Sequence, residues 1–259
     1  MKTLVKFLIF SVLISLTVKA NAQPGYINYY NQIKTYNLFE IWRGDGITVD
    51  GGNGQAYAFP EPIGFIGENY QRFYIHYTAI IKDTQNPYKY MVSGKTRVNN
   101  SICNFKGTIT VIKASLSTKT DEFKHTPGEL ICLVDIKEDP AQKESGFIKG
   151  RMISKFYFDF QKQVNYNTIN APSAGFWNNE VTGTWTSYKT HETKKCNWGD
   201  FRIPQSGPLD NGEGEFRVNP KYVGHGWQNY PGLSSPDKEV KKKAVEEETR
   251  KWWRSPLTP

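Results

Sequence analysis

The sequence predicts an all-β protein: an antiparallel meander closing into a small barrel, followed by a short C-terminal helix. A two-sheet sandwich is the alternative arrangement. Three observations carry the prediction. Gly146–Phe160 (GFIKGRMISKFYFDF) alternates, placing Ile148, Gly150, Met152, Ser154, Phe156, Phe158 and Phe160 on one side and Phe147, Lys149, Arg151, Ile153, Lys155, Tyr157 and Asp159 on the other. A period of two with one apolar and one mixed face marks a half-buried strand. Further stretches repeat the plan with turns and no helical pattern between them, which favours antiparallel neighbours. Finally, four stretches carry an inward glycine two residues after an apolar one: Val92-x-Gly94, Phe105-x-Gly107, Ile148-x-Gly150 and Val181-x-Gly183. Glycines in phase permit the coiling that closes a small barrel, or leave room for a large side chain such as Trp185.

Residues 1–22 read as a secretory signal peptide. Lys2 and Lys6 begin it, Phe7–Val18 supply the apolar run, and Ala20-Asn21-Ala22 form the small-x-small cleavage site before Gln23. The run is shorter than the roughly 20 residues that cross a bilayer. No later stretch is apolar enough to span, so the chain is expected to be exported, to the periplasm or outside, in the manner of a Gram-negative bacterial protein. Cleavage removes three lysines and no acid, lowering the formal charge from +8 to +5. That excess is spread along the chain, and no dense Lys/Arg cluster marks a nucleic-acid surface.

Residues 23–70 are rich in Tyr, Asn, Gly and Pro. Asn37–Trp42 and Ile47–Val49 read as short strands around Gly44-Asp45-Gly46. Arg43-Gly44-Asp45 spells an adhesion tripeptide, a match that three letters produce by chance. Asp50–Gly54 is a turn, and Phe59-Pro60-Glu61-Pro62 is incompatible with a central strand.

The barrel core is expected over 71–190. In Gln71–Lys82 the inward set is Phe73, Ile75, Tyr77, Ala79 and Ile81, with Arg72, Tyr74, His76 and Thr78 opposite. Lys89–Val98 turns Tyr90, Val92, Gly94, Thr96 and Val98 inward, and Ile102–Lys113 turns in Cys103, Phe105, Gly107, Ile109 and Val111. After a polar loop, Ser115–Pro127, the strand Glu129–Lys137 buries Leu130, Cys132, Val134 and Ile136. Lys137–Ser145 is a charged turn into the strand described first. Beyond the Asn-rich loop 165–179, Val181–Tyr188 places Val181, Gly183 and Trp185 together.

Gly183-Thr184-Trp185 on this strand resembles the Gly-x-Trp signature of the lipocalin-like (calycin) β-barrels, although in that family the motif lies on the first barrel strand. The resemblance implies a closed meander barrel that takes small apolar ligands, with Arg202 as the basic residue that stacks on Trp185.

Beyond Tyr188 the alternation ends. Residues 191–232 form a Gly/Trp-rich covering segment, in which Trp198, Phe201, Tyr222, Trp227 and Tyr230, with Arg202, are a candidate aromatic platform for a sugar. The competing reading is a segment that plugs the barrel or covers a sheet edge. Residues 233–259 are a charged helical tail. Ser235-Pro236-Asp237 starts a helix, and Glu246/Arg250 and Glu247/Lys251 are spaced for ion pairs. Trp252-Trp253 is its one apolar feature and a candidate protein-docking point.

Three cysteines in an exported chain imply one disulfide. Hairpin register sets Cys132 near Ile109, too far from Cys103 to bridge. Of the two pairings left, Cys103–Cys196 is expected, because Cys103 begins its strand and Cys196 sits in a loop placed to cover that end, with Cys132 a core thiol; three unpaired thiols is the alternative. His76 is expected on the surface, and His191 and His225 flank the unusual C-terminal segment. Asp210, Glu213 and Glu215 between glycines form a solvated turn or a hard-cation loop. Asp200 with Glu213 or Glu215 is a candidate acid/base pair for glycoside cleavage. No pattern calls for a cofactor or a resident metal. The leading expectation is a non-catalytic binding protein for an apolar, aromatic or glycan ligand. A carboxylate-dependent hydrolase and a partner-binding or inhibitor module are the alternatives.

Overall fold

The computed structural model describes residues 25–43, 48–50, 56–58, 61–168 and 175–254, with backbone alone at 48–50 and 56–58. The expected signal peptide (1–22), Gly44 and Asp45 of the adhesion tripeptide, and residues 51–54 of the glycine turn lie outside the described residues.

The fold is the expected all-β one. Its strands are β1 (Tyr26–Asn28), β2 (Thr48–Asp50), β3 (Ala56–Ala58), β4 (Ile63–Ile66), β5 (Gln71–Lys82), β6 (Lys89–Val98), β7 (Ser101–Ser117) and β8 (Thr126–Glu138), then β9 (Gly146–Phe158), β10 (Val164–Tyr166), β11 (Asn178–Ser187) and β12 (Thr193–Asp200). Eight of them, β4 to β9 with β11 and β12, follow one another up and down and close into a hydrogen-bonded ring. The last pairs with the first, Cys196 opposite Ile66 and Gly199 opposite Ile63. All of these pairings are antiparallel, and the ring is not evenly disposed round an axis. Short β10 continues the edge of β9 where β11 stops, and the Asn178 side-chain amide fills the gap, bonding both Lys155 N and Lys155 O.

Alternation gives the ring its two faces. Tyr90, Val92, Ile109, Leu130, Val134, Ile148, Met152 and Phe156 are buried inside. Lys106, Lys137, Lys149 and Arg151 stand exposed outside. That polarity is the reverse of a bilayer-spanning barrel, whose outer band is apolar. Among the described residues no helix is long and apolar enough to cross a membrane. Gly94 makes tight closure possible: a Cβ there would lie 2.0 Å from His76 O and 2.6 Å from the Phe105 ring.

Several sequence expectations change. A β-bulge between Tyr77 and Ala79 reverses the phase of β5, so Ile80 is buried and Ile81 is 64% exposed. A one-residue slip moves every following side chain to the other face. Phe160 is likewise exposed, because β9 ends at Phe158 and Asp159 turns the chain. β7 and β8 run into what reads as a polar loop. Asn37–Trp42 is no strand: Phe39–Trp42 is a helical turn, α2, preceded by a similar turn α1 (Tyr30–Ile33). β4 and β12 were not legible as ring strands because both faces are covered. Ile66 faces the ring interior while Ile63 and Phe65 join a second core outside it, so alternation is lost.

The expected Cys103–Cys196 disulfide is absent; all three cysteines are free and buried. Cys103 sits on β7 and Cys196 on β12, with β4, β5 and β6 between them along the sheet. Cys132 faces Val111, two residues from the position expected.

One end of the ring is plugged by the N-terminal segment. Ile33, Leu38, Ile41 and Trp42 join the main core. Leu38 N donates to Tyr90 Oη (3.0 Å) and Trp42 Nε1 to Ser154 Oγ (2.9 Å), anchoring the plug from inside.

The C-terminal segment covers the outer face of β4 and β5 rather than entering the ring. Ile203, Leu209, Phe216, Val218, Tyr222 and Trp227 pack on Ile63 and Phe65. The helix expected after Ser235 is α3 (Lys238–Glu248), capped by Asp237, whose side chain accepts from Glu239 N and Val240 N. It ends before Arg250 and Lys251, so the expected i,i+4 pairs give way to Arg250–Glu247 at 3.7 Å.

Candidate functional site

The unplugged end of the ring opens into a cavity of about 1250 Å³. Ile66 of β4, Phe73 of β5, Thr96 of β6, Cys103 of β7, Glu138 of β8 and Trp185 of β11 line it. All lie toward the open end of their strands, so the ring brings together side chains that the sequence spreads over more than a hundred positions.

Glu138 is the unusual member. It continues the inward series Leu130, Cys132, Val134 and Ile136 by one step and is 4% exposed. Thr96 Oγ1 donates to its Oε1, while Trp185 Nε1 (2.9 Å) and Gly146 N (2.8 Å) both donate to Oε2. Burial pushes this carboxyl above the usual carboxylate range, and the three hydrogen bonds pull against that rise. No described Lys, Arg or His forms an ion pair with it. Beside it, the Cys103 thiol donates to Lys143 O, and burial, with the nearby carboxylates, pushes it up to about 12. A thiol held there is no nucleophile. The sequence signal for Glu138 was present: two-residue periodicity runs straight through it, and its place in a charged turn concealed it.

Of the ligand-binding residues expected from sequence, Trp185 alone lies in this cavity. Gly146 leaves room for it; a Cβ there would lie 2.7 Å from its ring. Arg202, expected to stack on Trp185, instead bonds Asp210 and Gly214 O beyond the far end of β12. Trp198, Tyr222 and Trp227 are buried among other side chains, and Phe201 packs on Phe176, so they form no open platform. Asp200 is 1% exposed at the plugged end, whereas Glu213 and Glu215 are exposed in a surface loop; the three share no cleft. Asp210 is held by Arg202, and among the described residues no His, Cys, Asp and Glu cluster is placed to hold a metal ion. His76, expected on the surface, is 8% exposed: Glu61 bonds its Nδ1 (3.0 Å) and Trp253 stacks on it at 3.8 Å. Trp252 is buried, with an edge contact to Tyr74. The tryptophan pair thus docks on its own barrel.

Asp200 belongs to a second polar cluster. Tyr166 Oη (3.1 Å) and Asn179 Nδ2 (2.7 Å) donate to its Oδ2, and the same Asn179 nitrogen donates to Ile41 O of the plug. Burial pushes Asp200 up to about 8. The cluster fastens the plug to β11 and β12, and its Tyr166, Asn179 and Asp200 side chains are all buried.

Comparison of the chain with family models, with curated proteins and with solved structures finds no match.

Proposed function

We propose that this chain is an exported, non-catalytic binding protein that takes a small ligand into the mouth of its barrel. One observation carries the reading: a cavity at the open end of the ring, roomy enough for a drug-sized molecule, with apolar side chains and a buried carboxyl group at its floor and charged side chains round its rim. Ile66, Phe73 and Val98 offer apolar surface, and Thr96, Glu138 and Trp185 offer directional contacts. The closed eight-strand meander supports the lipocalin-like reading, in which such a mouth is the ligand entrance. Catalysis is disfavoured because the mouth holds no activated nucleophile, and the carboxylates suggested by sequence lie elsewhere.

Native mass spectrometry of the protein purified from its own source, before and after denaturation, tests the proposal. A co-purified small molecule lost on denaturation, and lost also from a Val98→Trp variant that fills the mouth, is the expected result. A bare chain that takes up no ligand from an extract of its source would overturn it.

A further inference from the structure

The floor of the cavity holds a buried carboxyl group, Glu138, that no described cation pairs. A buried carboxyl group is held as an anion by a partner cation and otherwise tends to take up a proton, because removing water penalises the charge. Glu138 has three hydrogen-bond donors and, among the described residues, no cation. Its Oε2 accepts two bonds but Oε1 only one, leaving an acceptor position on a residue that lines the cavity. Nearer the solvent, Lys143, Lys189 and Lys194 are offset by Glu68, Glu144 and Glu192, all on the cavity wall. The rim is therefore balanced, and the carboxyl group left without an offsetting lysine is the deep one.

We infer that the ligand of this cavity is a cation: an ammonium group on an apolar, preferably aromatic, body, with the ammonium seated on Glu138. The inference rests on the binding role proposed above. An ammonium supplies both the missing counter-charge and a donor for Oε1, and a charge-assisted bond of this kind is among the strongest available. Trp185, half-buried at the cavity, presents aromatic surface, which tolerates a cation and packs against a ring. An anionic ligand would meet Glu138 with every lysine of the cavity already at the rim.

The test uses three probes that share a phenyl body and differ in charge: phenethylamine, 2-phenylethanol and 3-phenylpropionate. Each is titrated calorimetrically into the mature protein and into Glu138→Gln. Phenethylamine is expected to bind at least about tenfold tighter than the alcohol, the propionate most weakly, and the preference is expected to vanish in E138Q. The wild-type series decides even where E138Q fails to fold. Equal binding of the three probes, or a preference that survives in E138Q, overturns the cation and leaves the cavity role standing. Failure of all three to bind at millimolar concentration overturns both.

Discussion

Trp185 Nε1 donates to Glu138 Oε2 across 2.9 Å, joining β11 to β8 over the top of β9, which lies between them. Gly146, the first residue of β9, donates to the same oxygen, and Thr96 brings in β6. One carboxylate therefore clamps four strands at the mouth. Glu138→Ala leaves a tryptophan N–H, a backbone N–H and a hydroxyl without their acceptor, and is expected to cost about 2–4 kcal/mol. Glu138→Gln keeps an acceptor oxygen and is expected to cost less. Urea unfolding midpoints of the two variants check this order; an E138A midpoint equal to wild type would show that the clamp bears no load.

The clamp also shows what was legible in advance. Alternation identified the strands whose outer faces are largely wet, β5 to β9 and β11, and with them the meander. It failed where a strand is buried on both sides, as Phe65 and Ile66 are on β4, because period-two contrast needs a solvent face. It failed again at Thr78, where a bulge reverses the phase and no turn residue announces it. Trp185 was legible as an inward aromatic. Glu138 was not, because a single glutamate among Lys137, Asp139 and Lys143 looks like surface until the register is known. The plug was illegible for another reason: Ile33, Leu38, Ile41 and Trp42 stabilise short helical turns only through the tertiary core they enter.

Asp200 gives the fold a pH dependence of definite sign. Its folded pKa, raised to about 8 chiefly by burial, lies above the unfolded value of roughly 3.9. Between those values the native state holds a proton that the unfolded chain has lost, so stability falls as pH rises through that window and levels off above it. Glu180, raised to about 7 by burial, acts in the same direction with a smaller, solvent-screened share. Asp200→Asn cannot titrate. It is expected to gain on the wild type by on the order of a few kcal/mol between pH 5 and pH 8. Parallel stability profiles for the two proteins, measured by urea unfolding across that range, would refute the assignment.

The thiols separate the observed fold from the disulfide suggested by composition. Cys103, Cys132 and Cys196 are free and buried, and burial raises all three thiols above their usual range. A thiol reagent at pH 8 is expected to label the native protein only slowly, and to titrate three thiols per chain once it is unfolded without reductant. A count of one on unfolding would restore the Cys103–Cys196 bridge.

The C-terminal cover hangs on Arg72. This side chain leaves β5 outward, is 3% exposed, and carries its guanidinium 4.1 Å from the Trp227 ring and 5.3 Å from Tyr230. Its Nη2 meets Glu248 Oε2 at 3.1 Å, the last residue of α3. Two other guanidinium nitrogens have no hydrogen-bond partner among the described residues, so the aromatic faces and Glu248 carry the charge between them. Glu248→Gln removes the one counter-charge that the described residues give a buried cation, and is expected to cost about 3 kcal/mol and to loosen α3. Trypsin would then cut at Lys241, Lys242 or Lys243 at concentrations that spare the wild type. The double variant R72M/E248Q removes both charges and keeps an unbranched side chain beneath Trp227. Its loss is expected to fall well short of the sum of the single losses, since the two residues act as one unit. Strictly additive losses in thermal unfolding would mean that the aromatic cover holds α3 without the ion pair.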